Sequence, residues 1–171
     1  MIQDSGTRRE FESGAVRDIQ EGKGRCDLLP LQEVGRIYHI TSFTRSHLGK
    51  ILDLIGTYER EGNLDCLAAA CYEFCDDRAW KLEDMFLEVA KHYEEGCNKY
   101  GERNWEKGIP LHCFIDSGVR HLLKHMRGDT DERHDRAFVW NMLGAMWTQN
   151  NHPELCDLPF AQKKTTEGAE E

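Results

Sequence analysis

The stretch from Lys81 to Tyr100, KLEDMFLEVAKHYEEGCNKY, decides the fold class. Leu82, Met85, Phe86, Val89, Tyr93 and Cys97 recur at three- and four-residue steps, which gathers them on one side of a helix, so a helix from about Arg78 to Tyr100 with one core-facing stripe is expected. Toward the C-terminus, a loop holding Gly101, Asn104, Trp105 and Gly108 leads to Pro110, which is tolerated at a helix start. Ile115, Val119, Leu122 and Met126 then mark the inner face of the next helix, and Gly128 stops it. Asp129-Thr130-Asp131 are cap-prone residues before a further helix that buries Phe138, Val139, Met142, Leu143 and Met146 and ends at Asn150-Asn151.

Toward the N-terminus, Leu64 to Phe74 reads as a short helix. Before it, Leu48, Ile51, Leu52 and Ile55 follow a possible cap at Ser42 or Thr44 and run to Gly62. Leu31 to Ile40 reads as a first short helix after Pro30. No strand-like alternation of useful length and no internal repeat occurs. The expected fold is all-α: a compact bundle of about five or six helices spanning 31–152, an extended N-terminal arm over 1–30 and a loose tail over 153–171.

The 171 residues suit one domain. A formal charge of −9 argues against a surface that coats nucleic acid, because phosphate backbones bind by counterion release onto clustered Lys and Arg. A metal-bridged small phosphate ligand remains compatible. Neither an 18-residue apolar run nor a leader-like start is present, so a cytoplasmic protein with no membrane or nucleic-acid partner is expected. Seven cysteines with no CxxC pair signal neither a disulfide framework nor a tetrahedral zinc site and read as small apolar residues.

Carboxylates at helical spacing matter because Mg²⁺ and Mn²⁺ take hard oxygen ligands and residues four apart point the same way. Projection at about 100° per residue puts Glu88, His92, Glu95 and Lys99 on one polar flank of the 78–100 helix, with Glu94 across the stripe; for any one of these glutamates alone, a solvated helix face is the more ordinary account. The 110–128 helix carries Asp116 and Arg120 on one flank, a metal-site pair or an ordinary i, i+4 salt bridge, with Ser117, His121 and His125 nearer the other. The same projection aligns Asp131 and Asp135 with the apolar stripe of the last helix. An inward acid needs a cap role, an ion pair or a metal, since burying a bare carboxylate costs several kcal/mol. Arg17, Lys23, Arg25, Lys99, Arg103 and Arg120 offer positive charge to a polyphosphate. Phosphate-loop and dinucleotide fingerprints are absent.

The run KYGERNWEKG (Lys99–Gly108), then Asp116-Ser117, Arg120-His121, Gly128-Asp129 and Asp131-Glu132 with His134, resembles the phage-associated dATP/dGTP diphosphohydrolase (MazZ-like) family, relatives of the MazG-like all-α pyrophosphohydrolases. GAVRD (Gly14–Asp18) and KGRCDLLP (Lys23–Pro30) are similar to that family's opening segment. Residues 36–80 look like an insertion relative to shorter members. One departure stands out: MazG-like enzymes pair an ExxE-type motif with an ExxD-type motif, whereas here Glu88, Glu94, Glu95 and then His134-Asp135 occupy the corresponding helices.

The resemblance implies hydrolysis of a purine deoxynucleoside triphosphate between its α- and β-phosphates, with Mg²⁺ or Mn²⁺, by a homo-oligomer (dimer or tetramer) in a bacterial host cytoplasm. On that reading Glu94, Glu95, Asp116, Asp131 and Asp135 hold metal, and Glu95, Asp116, His121 and His134 serve catalysis. Lys23, Arg25, Lys99, Tyr100 and Arg120 bind the substrate, with Asn104 and Trp105 against the base. Two alternatives stay open. His134-Asp135 with His121 upstream suggests an HD-type triphosphohydrolase, and a non-catalytic helical interaction module would leave the acids merely solvated.

Overall fold

The computed structural model describes residues 7–18, 26–29, 46–76 and 78–162. Five long helices dominate them: α1 (Ser46–Glu61), α2 (Leu64–Asp76), α3 (Leu82–Tyr100), α4 (Leu111–Arg127) and α5 (His134–Asn151). The fold is all-α. Short 3₁₀ turns lie at Cys26–Leu28, Asn104–Lys107 and Pro153–Leu155.

Local chemistry sets the helix ends. Glu83 and Asp84 open α3 and Lys99 closes it, each sign complementing the helix dipole. Lys124, His125 and Arg127 fill the last turn of α4, and Gly128, left-handed at φ 92°, donates its N–H to the carbonyls of Lys124 and His125. A side chain at that φ would be strained.

α5 is the central element. Its buried residues, among them Ala137, Phe138, Met142, Ala145 and Thr148, face all directions because α2, α3 and α4 surround it. α4 packs closest, and the close approach needs Gly144: a Cβ there would stand 2.3 Å from the Phe114 ring. Phe74 of α2 meets Phe138 of α5 with ring centroids 4.9 Å apart. α1 is tied to α5 through Gln149, which accepts from the Tyr58 hydroxyl and donates to the Gly62 carbonyl, both at 2.7 Å. Leu48, Ile51, Leu52 and Ile55 are buried as their spacing predicts, and so are Ile115, Val119 and Leu122.

Four expectations need correction. α3 begins at Leu82, because residues 78–81 turn back on α2: Trp80 N–H reaches the Cys75 carbonyl at 3.0 Å and Ala79 takes φ 52°. The α3 stripe is also narrower than its periodicity suggests. Met85 and Val89 are buried, but Phe86 is 49% exposed and Cys97 is exposed, since α3 meets α5 along a single line. Within the arm, β1 (Arg8–Glu10) and β2 (Val16–Asp18) pair antiparallel, in strands too short to show alternation. The tail is packed as far as Ala161: Leu158 and Phe160 join the core, Phe160 lying 5.8 Å from the Tyr58 ring. The helix expected at 31–40 and the caps Ser42 and Thr44 lie outside the described residues.

The cysteines are free, with Cys71, Cys75 and Cys113 buried and the Cys71 thiol pushed up to about 12 by burial. Among the described residues no helix is long and apolar enough to cross a membrane.

Candidate active site

The β1–β2 hairpin docks onto the end of α3 and the turn after it. Asn104, only 6% exposed, accepts from Val16 N–H and donates to Val16 C=O, both at 3.1 Å, acting as a one-residue strand partner. Ser13 donates its hydroxyl proton to the Gly108 carbonyl at 2.5 Å. Asp18 accepts from Lys99 at 2.9 Å and from the Tyr100 hydroxyl at 3.0 Å. These anchors sit on both sides of Arg17 and aim it inward.

Arg17 lies over the rings of Phe114 and Trp140, 5.2 and 5.8 Å from their centroids, and its Nη2 donates to Asn141 Oδ1 at 2.9 Å. Its Nη1 is buried with no hydrogen-bond acceptor. Desolvation pushes the pKa of this guanidinium down from the usual arginine range, so its charge is held at a cost that a nearby anion would relieve. A cavity of about 1290 Å³ opens beside it, lined by Arg17, Tyr93, Trp105, Asp116, Arg120, His121, Glu132 and Trp140 among others.

Asp116 is 1% exposed, pairs with Arg120 one helical turn on, and accepts from the Cys26 backbone N–H at 2.5 Å. The 3₁₀ turn at Cys26–Leu28 therefore closes over α4 at this acid. Burial raises the pKa of the half-buried Cys26 thiol, which keeps it protonated and weakly nucleophilic.

On the next turn of α4, His121 Nδ1 lies 2.9 Å from His134 Nδ1, and Glu132 Oε1 is 3.4 Å from both. The far nitrogen of His134, Nε2, meets Asp131 Oδ1 at 2.7 Å, and Lys124 holds the other Asp131 oxygen at 3.1 Å. Burial, then the neighbouring His134, depresses the His121 pKa well below the ordinary histidine value, leaving a neutral imidazole near pH 7. The bond to His134 holds the exposed Asp131 carboxyl down at about 2.

The five carboxylates expected to share metal do not meet. Glu95 gives both oxygens to Arg136 at 2.6 Å. Asp135 is buried as expected, but against Arg133, at 2.7 and 3.0 Å. Glu94 sits exposed at the outer cavity wall. Asp131 precedes α5, so the helical projection that turned it inward does not apply, and it caps no helix. Asp116 pairs with Arg120, His121 meets His134, and Asp116, Arg120 and His121 all line the cavity. Lys99 and Tyr100 serve the hairpin through Asp18, and Asn104 through Val16. Trp105 packs between Tyr93 and Trp147, at 5.3 and 4.9 Å, with one edge on the cavity. Lys23 and Arg25 lie outside the described residues.

Glu132 and Asn141 escaped the sequence reading. Glu132 stands beside Asp131 in the quoted motif, yet nothing in its spacing distinguishes it from a solvated acid. Asn141 follows an unremarked Trp140 on a helix that shows no polar face.

Residues 82–158 match the family model described as dATP/dGTP diphosphohydrolase, N-terminal. The match supports the dATP/dGTP diphosphohydrolase family assignment. It covers α3 through the Pro153–Leu155 turn, a little under half the chain, and includes Asp116, Arg120, His121, Glu132 and His134 but not the hairpin that carries Arg17. No curated protein and no solved structure matches the chain.

Proposed function

We propose that the chain hydrolyses dATP and dGTP between the α- and β-phosphates, adding one water and releasing the monophosphate and pyrophosphate with the aid of Mg²⁺ or Mn²⁺. The observation that carries this reading is Arg17: a buried guanidinium with an open donor faces a cavity that also holds Arg120. Such a donor calls for an anionic oxygen, and a phosphate supplies several. Tyr93, Trp105 and Trp140 give the same cavity aromatic surface suited to a nucleobase.

On this reading Arg17 binds phosphate oxygens from below, and Arg120 is divided between Asp116 and the substrate. Asp116, fixed by the Cys26 N–H, orients the attacking water and accepts its proton. A divalent ion would fit the nitrogen and oxygen donors of His121, Glu132 and His134, and its chemistry is to neutralise phosphate charge and acidify water. The HD-type alternative gains no support, since Asp135 turns to Arg133 rather than joining His134. The family reading also carries a homo-oligomer, with Phe86 and Leu87 of α3, 49% and 65% exposed, as the apolar surface at hand; light scattering on the purified chain tests that.

The deciding assay incubates the chain with dGTP or dATP and Mg²⁺ or Mn²⁺ and resolves products by ³¹P NMR. Monophosphate with pyrophosphate is expected. Intact tripolyphosphate would instead favour the HD-type reaction, and absence of turnover from a folded sample would favour the interaction module.

A further inference from the structure

His121, Glu132 and His134 converge where the end of α4 meets the start of α5, and their three donor atoms are separated by 2.9, 3.4 and 3.4 Å. Atoms bound about 2.0–2.2 Å from a first-row divalent ion stand about 2.8–3.6 Å from one another, the lower part of that range in octahedral and the upper part in tetrahedral coordination. The triangle therefore has the size of one face of such a shell.

Proton placement agrees at His134, while His121, which donates Nδ1–H across its 2.9 Å contact with that ring, must move this proton to Nε2 when an ion takes its place. Asp131 only accepts, so its 2.7 Å contact puts a proton on His134 Nε2. A neutral His134 then carries its lone pair on Nδ1, the nitrogen aimed at His121 and Glu132. A carboxylate on the far ring nitrogen is the usual partner that fixes the tautomer of a metal-binding histidine. His121 and Glu132 both line the cavity while His134 is only 1% exposed, so the uncovered side of the triangle opens toward the cavity. A second grouping, Asp129, Asp131 and His134, competes for the same histidine, but Arg127 holds both oxygens of Asp129.

We infer that His121, Glu132 and His134 form a site for one first-row transition-metal ion, with Asp131 as the outer partner of His134, and that the site takes Mn²⁺, Co²⁺ or Zn²⁺ in preference to Mg²⁺. Two imidazoles among three donors give this preference, because Mg²⁺ favours all-oxygen shells and keeps its waters. The assignment rests on the nucleotide reading only for what the ion does; its binding is a separate matter.

The test therefore uses metal alone. Titrating the full chain with Co²⁺, in the absence of nucleotide, is expected to give visible d–d absorption that saturates at one ion per chain. Competition should then show Mn²⁺ and Zn²⁺ displacing Co²⁺ at concentrations at least ~100-fold below Mg²⁺. Glu132→Gln and His121→Gln, checked for helicity by circular dichroism, should each abolish the saturable band. Asp131→Asn should weaken binding by about 10–100-fold, as loss of an outer partner does elsewhere. No Co²⁺ band, equal displacement by Mg²⁺, or a band unchanged in both ligand variants overturns the site. If Co²⁺ binds as described but dGTP is not cleaved, the site stands and the proposed activity falls. Mg²⁺-supported cleavage by a chain that binds no Co²⁺ has the reverse meaning.

Discussion

Val16 and Asn104 are bound to each other twice, N–H to Oδ1 and Nδ2–H to C=O, each at 3.1 Å. A side-chain amide here replaces a neighbouring strand, and through it the turn after α3 decides where Arg17 points. Asn104→Leu leaves both Val16 backbone groups without partners in a half-buried setting, a loss of about 2 kcal/mol. Urea unfolding should report that loss, and KM for dGTP should rise as Arg17 loosens. A variant of unchanged stability would show that the hairpin is held from elsewhere.

Asp116 and Asp135 are both buried acids on neighbouring helices, but only Asp116 lines the cavity. Asp116→Asn is expected to lower kcat by at least ~100-fold, in the range set by loss of a positioned proton acceptor. Asp135→Asn should leave turnover within a few-fold and instead reduce thermal stability, because the neutral amide removes the charge and one of the two acceptors that hold Arg133. Steady-state kinetics on the two variants side by side separates these roles; equal losses would place Asp135 in the site.

Two glycines on facing elements should respond oppositely to alanine. A Cβ at Gly96, inside α3, meets nothing within 4 Å, so Gly96→Ala should gain about 0.5–1 kcal/mol from helix propensity. At Gly144 the new methyl meets the Phe114 ring at 2.3 Å, and overpacking of this kind costs about 1–3 kcal/mol. Thermal melts of the pair should bracket the parent protein.

Two histidines shape stability against pH in opposite windows. Burial, then Arg136, holds His92 down at about 4, against about 6.5 for an unfolded histidine. Between these values the unfolded chain binds a proton that the folded chain refuses, so His92 lowers stability as pH falls through that window. Asp157 holds His112 up at about 10, so the stability this pair adds is complete below about 6.5 and is lost as pH rises toward 10. His92→Gln should flatten the acid limb of stability measured by urea unfolding, and His112→Gln the alkaline limb. If each limb keeps its slope in its own variant, the assignment fails.

The helical architecture was legible because 3.6-residue periodicity survives wherever one face of a helix is buried. The inner residues of α1 and α4 came from spacing alone. α3 misled at Phe86 and Cys97, since an apolar stripe does not tell how wide a contact its neighbour makes. The hairpin was invisible for a different reason: three-residue strands carry no pattern, and this pair is held by Asn104, Ser13 and Asp18, whose contacts span 80 residues or more of sequence. Within the site, the grouping of Asp116, Arg120 and His121 was readable from one helix. The carboxylate set was not, because sequence shows acids but not the arginines that take them: Arg136 holds Glu95 and Arg133 holds Asp135. Glu132 gained its place from the turn before α5, a feature with no periodicity.

The docking of the hairpin bears on how the molecule can be divided. A fragment trimmed to the family-matched segment would keep three helices, yet it would bare the sides of α5 that α1 and α2 cover and forfeit the guanidinium that floors the cavity. Truncation there should yield a sticky, inert remnant rather than a minimal enzyme. Swapping arms between relatives, by contrast, offers a way to retune how phosphate is gripped without touching the helices.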